Sequence, residues 1–157
     1  IRNLELVHSN YDETATLFYT LNHTSTPMGA RLLRRWVLMP LKDISQIEKR
    51  QFVVGNFVKN AELLAETRLH LNTIGDVERL ASKIATGRVN PRELLQLAKG
   101  MQTAEHIQAL GVNSTSKEIQ ALFNVLKPLT DWCNNIFEKI NPEAPMALNR
   151  GSVIAEG

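Results

Sequence analysis

The run Thr26-Pro27-Met28-Gly29-Ala30-Arg31-Leu32-Leu33-Arg34-Arg35-Trp36-Val37-Leu38-Met39-Pro40 leaves the backbone one regular option. Thr26 supplies a hydroxyl that can accept from an orphaned N–H of a first helical turn. Pro27 follows at the first helical position, where its missing donor costs nothing and its fixed φ suits a helix. Met28, Leu32, Leu33, Trp36 and Val37 recur at helical spacing, far from the alternation of a strand. Pro40 stops the helix by pushing its predecessor out of the α region. Gly29 costs about 1 kcal/mol relative to alanine inside a helix, so a close helix–helix approach is expected there. Arg31, Arg34 and Arg35 fall away from much of the apolar stripe and give the helix a basic back.

The same punctuation recurs along the chain. Asp12 is placed to cap a short helix carrying Leu17, Phe18 and Leu21, closed by Asn22. Asp43 and Gln46 form a capping box before a helix expected to turn Ile44, Ile47, Val54, Phe57 and Val58 inward. Asn60 breaks that helix and caps another with Leu63, Leu64 and Leu71. Gly75-Asp76 is a turn and cap ahead of Val77, Leu80, Ala81 and Ile84, with Gly87 as its stop. Asn90-Pro91-Arg92-Glu93 is the clearest helix start: asparagine at the cap, proline first, glutamate third. Its helix is expected to run to Leu110 and stop at Gly111, with Gly100 admitting a close neighbour. Ile119, Leu122, Phe123 and Leu126 mark a helix broken by Pro128, and Leu129–Ile140 another, ended by Asn141-Pro142. Leu4 and Leu6 flanking Glu5 suggest an extended entry over Ile1–Tyr11, and Pro142–Gly157 reads as an extended tail or single strand. The fold class is all-α, an irregular multi-helix bundle with short extended segments at both ends.

Composition narrows the function classes. The chain has 157 residues, 43% of them hydrophobic, enough for one domain with a core. Ile1 in place of an initiating methionine suggests a piece of a longer protein. No apolar run approaches the roughly 20 residues needed to span a bilayer, so no membrane partner is expected. A single cysteine, Cys133, fits a reducing, cytoplasmic setting. A net charge of +2 gives no concentrated basic field of the kind a dedicated nucleic-acid binder carries.

Residues that could carry chemistry are sparse. The eight glycines are dispersed and no Gly-Lys-Ser/Thr occurs, so there is no phosphate-cradling loop. His8, His23, His70 and His106 form no i,i+4 pair and no cluster with cysteine, and no metal site is expected. Cys133 reads as a small buried hydrophobe, because a nucleophilic role needs an activating base or positive neighbour. Asp76 and Glu78 sit where carboxylates serve a cap and the helix dipole. Trp36 and Trp132 fall in apolar spacings and are expected in the core. The arginine trio is the one cluster with a binding chemistry: guanidinium forks grip phosphates, against the alternative of a solvated or ion-paired helix face. An enzyme would require a histidine to converge with Cys133 or paired carboxylates in a pocket.

The ordered motifs carry a further signal. Asn3-Leu4-Glu5-Leu6, Asn10, Thr16-Leu17-Phe18, Leu21-Asn22 and the Thr24–Leu41 run resemble the opening of the helical core domain of the MutS family of DNA mismatch repair proteins. The resemblance continues at Gly75-Asp76-Val77-Glu78-Arg79-Leu80, at Gly87–Leu94 and at Gly151–Gly157, and is weakest between Val112 and Leu148. It implies a core-domain segment over 1–157, helical to 141, with a tail over 142–157 leading toward a lever helix. It also implies that this segment joins the connector domain to the levers, clamp and ATPase without chemistry of its own. The family's ATP and Mg2+ belong to a domain outside this sequence, so this segment is not expected to be an enzyme or to hold a cofactor. Implied partners are the other domains of the parent, mismatched duplex DNA through the parent, and a second parent subunit in a homodimer. The alternative is an autonomous helical module gripping the DNA backbone through Arg31, Arg34 and Arg35. Thr26, Pro27, Gly29, Trp36, Asp76, Asn90 and Pro91 are the expected structural positions.

Overall fold

Eight α-helices and no strand are found among the described residues of the computed structural model, which describes 4–9, 12–112, 114–146 and 151–155. Two compact units divide the chain, at 1–59 and 60–157.

The first unit holds a 3-10 turn at Glu13–Ala15, α1 (Leu17–Leu21), α2 (Pro27–Leu38) and α3 (Ile44–Lys59). Its expected extended entry is instead a turn: Glu5 takes φ 45°, and the carbonyls of Glu5 and Leu6 accept from Leu17 and Phe18 N–H. The rest of that expectation, at 1–3 and 10–11, lies outside the described residues. Asp12 caps only the 3-10 turn, its carboxylate accepting from Thr14 N–H at 2.8 Å. A second cap, Thr16, then starts α1 by accepting from Tyr19 N–H. Thr26 caps α2 through Gly29 N–H at 2.9 Å, with Pro27 first in the helix and Met39 at its C-cap.

Burial in this unit departs from expectation. Helices α1, α2 and α3 contain no buried residue. Ile44, Val54 and Val58, expected inward, are 70%, 59% and 72% exposed. Ile47 and Phe57 of the same expected set are half-buried, so α3 is covered along only part of its apolar side. Gly29 likewise meets no other helix; a Cβ there would sit 3.1 Å from Thr26 Oγ1 and 3.3 Å from Thr24 Cβ, so the missing side chain makes room for the cap.

The second unit holds α4 (Ala61–Leu71), α5 (Val77–Ala85), α6 (Pro91–Val112), α7 (Lys117–Phe123) and α8 (Thr130–Lys139). Every buried apolar side chain among the described residues belongs to it, from Leu63 to Ala144. The 22-residue α6, about 33 Å long at 1.5 Å per residue, is packed against α4, α5, α7 and α8. Leu95, Leu97, Ala98, Gly100, Ile107 and Gly111 are buried along it. At Gly100 a Cβ would meet Ile74 O at 2.6 Å and Val77 Cγ2 at 2.9 Å, which is the close neighbour that its spacing predicts. Gly111 does not stop the helix, which continues to Val112; its missing Cβ leaves room for the Phe123 side chain of α7. Helix α7 ends at Phe123, short of Pro128, with Asn124 as its C-cap. Beyond α8 the tail folds back: Asn141 N–H donates to Val153 O and Ala155 N–H to Lys139 O, each at 2.9 Å, around an antiparallel Ile140–Ile154 bridge. The remainder of the expected tail, 147–150 and 156–157, lies outside the described residues.

Glycines at different sites should respond to a methyl group with opposite signs. Gly111→Ala is expected to destabilise by about 1–3 kcal/mol, since Phe123 must move against packed neighbours. Gly55→Ala, in α3 with nothing within 4 Å of an added Cβ, is expected to stabilise by about 0.5–1 kcal/mol. Urea denaturation of each variant, followed by circular dichroism, checks both; equal signs would refute the packing account of Gly111.

Candidate functional site

The arginine-bearing helix places its charges outward. Arg31, Arg34 and Arg35 are all exposed, and the Arg34 guanidinium lies 5.9 Å from the centre of the Phe18 ring. Trp36 is not in a core. It is 40% exposed, and the Arg50 guanidinium of α3 covers its indole at 3.8 Å from the ring centre. That spacing is a cation–π contact, worth about 0.5–1 kcal/mol at exposed sites. Arg50 was not singled out by sequence because its pairing depends on how the chain turns between α2 and α3, which no local motif encodes. Trp132, in α8, is partly covered.

The cap residues build the starts of α5 and α6. Asp76 accepts from Arg79 N–H at 3.1 Å. Asn90 accepts from Glu93 N–H at 2.9 Å, and Glu93 reaches back to Asn90 N–H at 3.2 Å, completing a reciprocal box. Pro91 is buried at the first turn of α6. The other carboxylate oxygen of Glu93 accepts from the Lys83 ammonium of α5, so one side chain both caps α6 and ties α5 to it. The Lys83 hydrogen bond, then the Asn90 N–H, hold the Glu93 carboxyl below its ordinary pKa. Nearby, Arg92 Nε donates to Ala144 O at 2.7 Å and pins the start of the tail.

Nucleophile and metal chemistry find little here. Cys133 is 2% exposed, its thiol donating to Ala98 O at 3.5 Å, and burial, then the Glu105 charge, push its pKa up. That is the opposite of activation. His70 of α4 and His106 of α6, far apart in sequence, come together with ring centres 5.6 Å apart. No group of three or more His, Cys, Asp or Glu among the described residues can hold a metal ion. In the first turns of α5 and α6, the Arg79 and Glu93 N–H groups bond the Asp76 and Asn90 side chains. No helix among the described residues is long and apolar enough to cross a membrane.

A family model, MutS domain III, matches residues 1–156. This chain belongs to the MutS domain III family. Relatives described as DNA mismatch repair protein MutS are 40% identical in Cytophaga hutchinsonii, 39% in Porphyromonas gingivalis and 38% in Bacteroides thetaiotaomicron. Each alignment covers 100% of this chain and 18% of the relative. The chain corresponds to the domain III portion of relatives named DNA mismatch repair protein MutS, and spans about a fifth of the length of the curated relatives it matches.

Within this MutS domain III chain, three of the motifs that carry the resemblance sit at helix starts, whereas Leu4–Leu6 lies in the entry turn and the described part of Gly151–Gly157 in the returning tail. Thr24–Pro40 is a capped α2, Gly75–Leu80 turns into α5 with Leu80 1% exposed, and Gly87–Leu94 is the α5–α6 junction. They position helices.

The Glu93 clasp has a defined pH signature. A carboxyl whose pKa is lowered on folding adds stability that is complete above its unfolded pKa, near 4.5, and is lost as pH falls through the lower folded value. Stability of the α5–α6 unit is thus expected to decline with acid below that point, and Glu93→Gln to flatten the decline. Urea midpoints from pH 6 downward check this; an unchanged slope in the variant would remove the clasp from the account. Asn90→Ala should cost about 1 kcal/mol at neutral pH.

Proposed function

We propose that this chain is a mechanical element of a mismatch repair MutS protein, a packed helical body that passes conformational bias between nucleotide-binding and DNA-gripping parts of the parent. The observation that carries the reading is the apolar surface left on α2 and α3: Trp36, Met39, Ile44, Phe52, Val54 and Val58 are 40% to 72% exposed. Apolar faces of this kind mark surfaces made to meet other protein. On this reading they meet the remaining domains of the parent. The parent is a cytoplasmic homodimer that binds mismatched duplex DNA and hydrolyses ATP with Mg2+ outside this segment. This segment contributes no bond-making chemistry, which agrees with a buried, deactivated Cys133 and helix starts closed by their own caps.

Coupling of this kind is a free energy shared between two sites through elements with two arrangements. The second unit, with its interdigitated core, suits the part of such a role that shifts as a unit. A second reading is favoured by the exposure of Arg31, Arg34 and Arg35: direct contact with DNA phosphates along the back of α2.

Fluorescence anisotropy against matched and mismatched duplexes at two salt concentrations separates the readings. The mechanical reading expects no binding at low salt. Mismatch-blind binding that weakens with salt and is lost in Arg31→Ala/Arg34→Ala/Arg35→Ala would establish the phosphate-contact reading in its place. Mismatch preference would overturn both.

Sedimentation velocity across concentration tests the apolar face itself. The isolated chain is expected to self-associate, and Met39→Ser/Val58→Ser to reduce that association. A monomer at every concentration would count against a surface built to be covered.

A further inference from the structure

We propose that His70 and His106 form a two-imidazole clamp for a divalent transition cation of the Zn2+, Ni2+ or Cu2+ class, bridging α4 and α6. The two rings sit on facing helices of one packed unit, with centres 5.6 Å apart and planes inclined at 46°. A tetrahedral ion bound at about 2.0–2.1 Å to one nitrogen of each ring places the ring centres roughly 5 Å apart, close to the spacing seen here. Imidazole is the ligand this class of cation shares, whereas Mg2+ and Ca2+ require oxygen donors.

The helix pair supplies the register. Ile74 of the turn after α4 contacts Gly100, and Leu63 shares an open depression with Leu110. The helices therefore run antiparallel, with His70 and His106 meeting midway along the seam. His106 is exposed and His70 half-buried, so an ion has access from solvent and water can complete its shell. Glu66 lies one turn before His70 on the same face of α4, beside that depression, and lends it negative charge. Glu105, next to His106 on α6, accepts from the Thr130 hydroxyl of α8 at 2.7 Å. Thr67 of the same α4 face is 8% exposed and its hydroxyl finds no partner among the described residues, so the seam is not sealed by apolar packing alone. With no third side-chain ligand in reach among the described residues, the site is open. It stitches two helices rather than enclosing the ion.

Binding and folding are linked, because an ion that grips both helices stabilises only their docked state. The 157-residue chain titrated with ZnCl2 near pH 7.5 is expected to bind one ion and melt at a higher temperature. His70→Ala and His106→Ala should each weaken binding at least about tenfold, since either removes the chelate and leaves one imidazole. His23→Ala should change nothing. A measurement on the unaltered chain makes the result independent of how the variants fold: in long-range proton–nitrogen NMR spectra, Zn2+ should shift the ring nitrogens of His70 and His106 together at one equivalent. Zn2+ shifting only one of the two, or shifting His8 or His23 instead, would overturn the clamp. So would affinity that survives in the His70→Ala/His106→Ala double variant.

Discussion

The second unit depends on how closely α6 lets its neighbours approach. Where Gly100 meets Ile74 and Val77, and where Gly111 meets Phe123, the absence of a side chain brings foreign atoms against the helix backbone itself. Ala98, fully buried two residues before Gly100, adds a third small position, with the Cys133 thiol of α8 hydrogen-bonded to its carbonyl. Gly100 and Gly111, about three turns apart on one side of α6, thus admit different neighbours at different heights along the helix. Interiors packed to crystal-like density have little slack, and a single added methyl at such a point must displace something. The glycines cost helix propensity, but the dispersion contacts and buried area they permit recover more than that locally.

How much of this could be read from the residues depended on how far apart the interacting groups lie in sequence. Caps act over three or four residues, so Thr26, Asp76, Asn90 and the Asn90–Glu93 box were legible directly. Pro27 and Pro40 bounded α2 for the same reason. What local patterns could not supply was which elements meet. The Lys83–Glu93 link joins residues ten apart through a turn, Arg50 covers Trp36 across another, and His70 finds His106 across a whole helix pair. The misread glycines share this origin. Gly111 resembles a helix stop because it is glycine near a helix end, yet Phe123 decides its purpose. Gly29 resembles a packing glycine, yet it serves the Thr26 cap three residues before it.

Burial in the first unit was misread for a different physical reason. Periodicity reports which side of a helix is apolar; it does not report whether anything lies against that side. Ile44, Val54 and Val58 fall at the spacing of an inward face and nonetheless stand in solvent. Trp36 shows how such a surface is partly relieved: a guanidinium, weakly hydrated and planar, lies over the indole while keeping its own edge wet. The contact satisfies the ring's face and leaves its rim open.

On the proposed reading, the two halves of the chain suit different parts of one mechanical role. The helices around α6 bury apolar side chains among themselves, four of the five in this unit start on a side-chain cap, and Arg92 and Asn141 bind the returning tail. A body like that deforms little under load and moves as a piece. The helices of the first unit leave Met39, Ile44, Phe52, Val54 and Val58 exposed, where contact with other protein would change their free energy most. Transmission needs both properties, because a signal enters through surfaces whose contacts differ between states and is lost in a body that yields internally. On this reading the arginine back of α2 is the face left to water when the apolar side is engaged. A helix of only 12 residues gains from that division, since charges on one side raise solubility without competing for the contacts on the other.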